Sequence, residues 1–166
     1  MMMANASGAS ISMRYGLQGP AETICTACAA GSHAIAYAAR LIRWGVVDAV
    51  ATGGSEAAAT LTALAGFGNM TALTNAGISR PFDAERDGFV LGEGAAVLIL
   101  EEWSSAVDRG ATILGEILGG ASTADAHHIT APPEDGEGAR LAMVNAIRDA
   151  GVGPERVDYI NAHATS

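Results

Sequence analysis

Glu22-Thr23-Ile24-Cys25-Thr26-Ala27-Cys28-Ala29-Ala30-Gly31 is an apolar run that stops at a cysteine. A helical pattern follows at once in His33-Ala34-Ile35-Ala36-Tyr37-Ala38-Ala39-Arg40-Leu41-Ile42-Arg43-Trp44. The spacing predicts a strand over 21–26 and a helix over 29–44, with Gly45 as its C-cap. Such a strand–turn–helix junction lifts its corner side chain, Cys28, out of the sheet. It also aims helix amide groups at the corner, and their field favours an anion there. A thiolate in that place is a good nucleophile towards carbonyl carbon. The small residues Ala27, Ala29, Ala30 and Gly31 leave room for a substrate to reach the sulfur.

Outward from this junction, strand and helix patterns alternate. Val46 to Ala51 reads as a second strand ending at Gly53-Gly54-Ser55-Glu56, followed by a helix over 57–65. Residues 66–88 are irregular. Ala95 to Leu100 is continuously apolar, as expected of a strand covered on both faces. A short helix over 102–109 stops at Gly110. Ile113 to Leu118 reads as a strand and 120–136 as a polar loop. Helical periodicity returns from Glu137 to Ala150 and ends at Gly151, and Val157 to Ile160 reads as a last strand. This order implies an α/β layer structure.

Composition narrows the function. The 166 residues include 21 Gly, are 49% apolar and only 5% aromatic, which suits closely packed helices on a sheet and excludes disorder. A net charge of −9 argues against nucleic acid as a partner. No uninterrupted apolar run approaches the length of a membrane span, so no membrane role is expected. The opening Met1-Met2-Met3-Ala4-Asn5-Ala6-Ser7-Gly8 does not read as a signal peptide, and two cysteines without framework spacing suit a reducing, cytoplasmic setting.

Several stretches have plainer readings. Cys28 alone could be a buried structural thiol. Cys25-Thr26-Ala27-Cys28 has the spacing of a redox motif, but there the first cysteine sits at the helix start, whereas Cys25 falls inside the strand pattern. Asp125, His127 and His128 invite a metal reading, yet offer too few ligands, and no metal is expected. His163 could merely end a strand. Arg80, Asp83, Arg86 and Asp87 can pair with one another as scaffold, with Gly92 and Gly94 at a sharp turn. Gly92-Glu93-Gly94 lacks the third glycine of a dinucleotide loop. Gly53-Gly54-Ser55-Glu56 lacks the pattern of a serine nucleophile elbow.

Four groups of residues carry a resemblance. They are Gly19-Pro20 with Thr26-Ala27-Cys28-Ala29-Ala30-Gly31; Arg80-Pro81-Phe82-Asp83, Arg86 to Val90 and Gly92 to Ala95; Asp125-Ala126-His127-His128 with Thr130 and Pro132-Pro133; and Asn161 to Ser166. With these the chain resembles the β-ketoacyl synthases, the condensing enzymes of fatty-acid and polyketide synthesis, and among them the elongating 3-oxoacyl-[acyl-carrier-protein] synthase II type. The resemblance runs from residue 1 to residue 166 and covers the middle of a longer family chain.

The resemblance implies a thiolase-like layered αβαβα fold, of which this chain holds a part. The end of the N-terminal half, with the nucleophile region, falls at about 1–110, and the start of the C-terminal half at about 111–166. It implies an acyltransferase performing a decarboxylative Claisen condensation. An acyl group moves from acyl carrier protein to a cysteine, and a malonyl group on a second carrier loses CO₂ and extends it. Cys28 matches the acyl-accepting nucleophile and His163 the first of two catalytic histidines, whose N–H stabilises the charge developing on the malonyl thioester oxygen. Phe67 matches a residue of the acyl pocket, His128 and Thr130 lie near the departing carboxylate, and Thr165 helps hold the pantetheine arm. The chemistry needs no metal and no cofactor apart from the carrier's phosphopantetheine.

The second histidine and a catalytic lysine are expected beyond Ser166; all nine basic residues here are Arg. Condensation by these residues alone is therefore not expected. Exposed apolar faces, poor solubility and association are, together with a homodimer in the full-length form. Ala164 stands where many members have Gly, and Thr71 lies where some use Arg to meet the carrier protein. A noncatalytic partner of the chain-length-factor kind replaces the nucleophile, so Cys28 speaks against that reading. The remaining alternative is a thiol-disulfide protein using Cys25 and Cys28.

Overall fold

The computed structural model describes residues 3–166. Met1 and Met2 of the opening stretch lie outside them. The elements are α1 (Ala6–Tyr15), α2 (Ala30–Arg43), β1 (Ala49–Glu56), α3 (Leu61–Asn69), β2 (Gly94–Glu101), α4 (Trp103–Asp108), α5 (Glu137–Ala150) and a 3₁₀ turn over Pro154–Arg156. β1 and β2 form a two-stranded sheet. The Glu102 N–H donates to the Asp48 carbonyl at 2.9 Å, so the end of β2 lies beside the start of β1 and the pair is antiparallel. The chain divides into two compact units. The first holds the residues up to Gly54 and Val97–Val157; the second holds Ser55–Ala96 and Asp158–Ser166.

α2 organises the first unit. Its C-terminus is closed by Gly45 at φ +69°. The Gly45 N–H donates to the Ile42 carbonyl at 2.9 Å and the Val46 N–H to the Leu41 carbonyl at 3.0 Å, which is the Schellman arrangement. Ala38 and Ala39 are buried within the helix, and with Ala106 of α4, Thr52 of β1 and Gly138 of α5 they make up the buried residues among those described. Alanine replaces bulk here because the backbones come close. A Cβ on Gly120 would lie 2.7 Å from Cβ of Ala36, and one on Gly119 would lie 2.8 Å from the Ala146 carbonyl oxygen of α5. Segment 118–120 is thus packed tightly against both α2 and α5.

Polar bonds fix that packing. Arg40 of α2 donates to the Gly120 carbonyl at 3.1 Å. Asp149 of α5 accepts the Gly120 N–H at 2.9 Å and pairs with Arg43 of α2 at 3.4 Å. The amide bond from Gly120 and the charge of Arg43 hold the Asp149 carboxyl below its ordinary range, against a smaller opposing effect of desolvation. Also on α2, the hydrogen bond of Tyr37 with Glu22 raises the phenol above its ordinary value.

Several expectations need correction. The strands expected over 21–26, 113–118 and 157–160 are not strands. Residues 21–25 lead only to an isolated bridge at Thr26 and Cys28. A strand exists only when a neighbour accepts its ladder, and these segments have none among the described residues. The second strand runs from 49 to 56 rather than 46 to 51, so Gly53 and Gly54 lie inside it. The Gly54 backbone runs alongside the first turn of α2, where a Cβ would sit in ordinary contact, 3.5 Å from Gly31 Cα. The next helix runs from 61 to 69 rather than 57 to 65, because Thr60 caps it by accepting the Ala63 N–H at 3.3 Å. α1 was not expected from the sequence. The apolar strand β2 is present but not covered: Val97, Leu98 and Ile99 are 49%, 45% and 68% exposed.

Candidate active site

Cys28 lies at a corner of the first unit, two residues before α2, and its side chain is exposed. The corner is built by Ala27, whose φ of +50° is left-handed and unfavourable for an L-residue. The Ala29 N–H donates to the Thr26 carbonyl at 3.2 Å and the Ala30 N–H to the Ala27 carbonyl at 3.0 Å, closing the turn around the cysteine. Ala29 is the N-cap and offers no side-chain hydrogen bond to the first turn. The first turn of α2 beside the sulfur therefore has no side-chain cap from its N-cap residue. Cys25 is also exposed, and both cysteines are free thiols.

The polar loop of the first unit is engaged with itself. Nδ1 of His128 accepts the N–H groups of Thr130 at 3.2 Å and Ala131 at 3.1 Å, and His128 and Thr130 are both exposed. Asp125 is turned away, its carboxylate lying against the open face of Gly138 at the start of α5. No group of three metal-binding side chains occurs among the described residues. Cys28 and the His128–Thr130 pair share this unit, but no hydrogen bond joins them.

The second unit carries Phe67, His163 and Thr165. Phe67 of α3 meets Phe89 edge to face, with ring centroids 5.4 Å apart. Phe89 is fixed by backbone bonds, its N–H to the Ala72 carbonyl and its C=O to the Thr74 N–H, each at 3.0 Å. Asp87 organises the loop before it. Its carboxylate accepts the Thr74 hydroxyl at 2.7 Å, the Asn75 N–H at 3.0 Å and the Arg80 guanidinium at 3.3 Å. These bonds, the Thr74 hydroxyl foremost, hold the Asp87 carboxyl below its ordinary range despite some desolvation. Arg80 also pairs with Glu85 at 3.6 Å.

The expected mutual pairing of the signature residues is only half right. Arg86 donates to the Asp83 backbone carbonyl at 2.8 Å rather than to its carboxylate. The constrained glycine is Gly88, at φ +126° and against Ala72–Thr74; Gly92 and Gly94 have open space around them. His163 and Thr165 are exposed on a tail tied to this loop, where the Arg80 N–H donates to the Ser166 hydroxyl at 2.7 Å. Ala164, between the two, has φ +39°, which explains why glycine suits the position.

Sequence reading assigned no role to Thr26, His33, Ser79 or Ser166. Thr26 Oγ1 lies 2.8 Å from Nδ1 of His33, and the Ser79 hydroxyl accepts the Val90 N–H at 2.9 Å. None of these residues stands out by period or charge. For Thr26, Ser79 and Ser166 a local signal was that each small hydroxyl flanks a turn, where such side chains bond to nearby groups.

A family model described as the β-ketoacyl synthase N-terminal domain matches residues 1–106, and one described as the β-ketoacyl synthase C-terminal domain matches residues 114–166. A 3-oxoacyl-[acyl-carrier-protein] synthase 2 from Synechocystis is 50% identical across 100% of this chain and 41% of its own length. The mitochondrial 3-oxoacyl-[acyl-carrier-protein] synthase of Arabidopsis thaliana is 47% identical across 99% of this chain and 37% of its own length. The chain thus spans about two fifths of these relatives. Among solved structures, a type II polyketide ketosynthase in complex with its acyl-carrier protein superposes with a TM-score of 0.93 at 37% identity. That match covers 96% of this chain and 41% of the ketosynthase.

Proposed function

This chain belongs to the β-ketoacyl synthase family and shares its thiolase-like fold, and on that footing we propose that it is a segment of a 3-oxoacyl-[acyl-carrier-protein] synthase. The two family matches meet between residues 106 and 114, which supports reading the chain as the end of the N-terminal half and the start of the C-terminal half.

In this reading Cys28 is the acyl acceptor. Its thiolate attacks the carbonyl of a carrier-protein thioester, the carrier's thiolate departs, and a thioester to Cys28 remains. A malonyl group on a second carrier then loses CO₂, and the electron pair of the broken bond forms an enolate. His163 donates its N–H to the developing oxyanion. The enolate carbon attacks the Cys28 thioester, a carbon–carbon bond forms and the Cys28 thiolate is released. Phe67 lines the acyl pocket, held by Phe89. Thr165 takes the pantetheine arm, and His128 with Thr130 faces the departing carboxylate. The carrier protein is the partner, as in the related ketosynthase complex, and phosphopantetheine arrives on it as part of the substrate. The second histidine and the lysine of the family's site belong to the rest of the enzyme, which works as a homodimer in the cytoplasm.

The observation that carries this reading is the exposed Cys28 at the left-handed corner before an uncapped helix. A chain-length-factor role does not need a thiol there. The test uses the full-length synthase with iodoacetamide and with acyl-carrier-protein and malonyl-carrier-protein substrates. Alkylation at Cys28 ahead of Cys25, with loss of 3-oxoacyl product, is expected. Equal labelling of the two, or a stable Cys25–Cys28 disulfide with no product, overturns the reading.

A further inference from the structure

Thr26 and His33 are joined across the corner that presents Cys28. Thr26 Oγ1 and His33 Nδ1 lie 2.8 Å apart, and the bond brackets Ala27, Cys28, Ala29 and the first turn of α2. Inside the bracket the chain is strained: Ala27 is left-handed at φ +50° without being glycine. Such a conformation persists where its surroundings over-determine it. The backbone contributes the bonds from Ala29 to Thr26 and from Ala30 to Ala27. From the side chains, the N-cap Ala29 contributes nothing. The Thr26–His33 pair supplies what the cap does not, fastening the incoming chain to a ring that the helix itself fixes. The His33 N–H is held by the Ala29 carbonyl at 2.9 Å, so the ring's anchor point is set by the first turn of α2.

We propose that the Thr26–His33 hydrogen bond is a positioning clamp for Cys28. It sets the direction in which the sulfur leaves the corner, and so acts on the acyl-transfer step rather than on the step assigned to His163. Thr26 and His33 are positioning residues that act through the cysteine. The inference rests on the reading of Cys28 as the acyl acceptor.

The test is made in the full-length synthase with Thr26→Val, Thr26→Ser, His33→Ala and the double variant Thr26→Val/His33→Ala. Four quantities are measured: the iodoacetamide alkylation rate at Cys28, the acyl transfer rate from acyl-carrier protein, the malonyl decarboxylation rate and the melting temperature. Thr26→Val and His33→Ala each slow alkylation and acyl transfer about tenfold, the size expected of one net hydrogen bond. The double variant is no slower than either single one, because both remove the same bond. Thr26→Ser restores the rate, and decarboxylation stays within about twofold of wild type, below the tenfold loss expected of the bond. Wild-type acyl transfer in Thr26→Val overturns the clamp. So does a fall shared equally by decarboxylation and melting temperature, or a Thr26→Ser variant as slow as Thr26→Val. A wild-type enzyme whose Cys28 takes no acyl group overturns the functional reading itself, and the two failures are therefore distinct.

Discussion

Gly88→Ala puts a methyl group where the second unit leaves no room. The new Cβ would lie 2.6 Å from the Ala72 carbonyl oxygen, 2.7 Å from the Leu73 carbonyl carbon and 2.8 Å from the Thr74 nitrogen. All three are backbone atoms, so no side chain can swing aside. The φ of +126° adds strain of its own, about 1–3 kcal/mol at a conformation suited to glycine. Overpacking against fixed neighbours costs about 1–3 kcal/mol more. Together the substitution is expected to destabilise by about 2–6 kcal/mol. The movement would propagate to Asp87 on one side and to Phe89 on the other, loosening the edge-to-face contact with Phe67. The measurement is the denaturant midpoint of the full-length synthase by circular dichroism, with Gly92→Ala as control. A Cβ on Gly92 would have no atom within 4 Å, and its φ is not left-handed, so its alanine variant should stay within about 0.5 kcal/mol of wild type. If Gly88→Ala is as stable as Gly92→Ala, the close approach of 88 to 72–74 is wrong, and the support given to Phe67 goes with it.

Asp149→Asn tests the bonds between α2, segment 118–120 and α5. The folded carboxyl is held below its ordinary 3.8, so its ionised form contributes stability above that pH and loses it as pH falls through the folded value. The variant should be less stable than wild type near neutrality, and the gap should close below pH 3.8; denaturation curves from pH 3 to 7 that keep a constant gap would refute this. Thr71→Gly acts at the residue after the α3 C-cap, a β-branched side chain at φ +53°. Relief of about 1–2 kcal/mol of left-handed strain, less about 0.5–1 kcal/mol for glycine's freedom when unfolded, leaves a gain of up to about 1.5 kcal/mol. A lower melting temperature for Thr71→Gly would contradict it.

What the sequence disclosed follows from which forces are local. α5 spans 137–150 in the structure as its periodicity indicates, because a left-handed glycine stands at each end, Gly136 before it and Gly151 after it. α2 and β2 were also legible, one from its run of alanine and leucine closed by Gly45, the other from an unbroken apolar run. α1 was hidden because Ala-Ser-Gly-Ala-Ser is a weak helix former and Asn5 caps nothing with its side chain. The register of β1 was hidden because Gly53-Gly54 looks like a stop locally. At the site, the start of α2 just after Cys28 was legible from the helical pattern, whereas the strand expected before it did not form. The Thr26–His33 bond was not legible, since nothing in a sequence says which hydroxyl will find which ring.

The strands that failed to form bear on the site itself. Segments 21–25 and 113–118 have strand composition but no ladder, and Leu114 is 95% exposed. Backbone groups prepared for a ladder and apolar side chains prepared for a cover are both left open, and each carries a free-energy cost until matched. If the remainder of the synthase supplies those neighbours, the extended arm at 21–25 becomes a paired strand. The Cys28 corner is then held from two sides. From the helix side it is already held, by α2 and the Thr26–His33 bond. From the strand side it depends on a neighbour that pairs with 21–25. On the proposed reading, that division would let the acyl acceptor sit on a locally strained turn: the strain at Ala27 is held on one side by its own helix, and would be held on the other by a strand pairing with the arm.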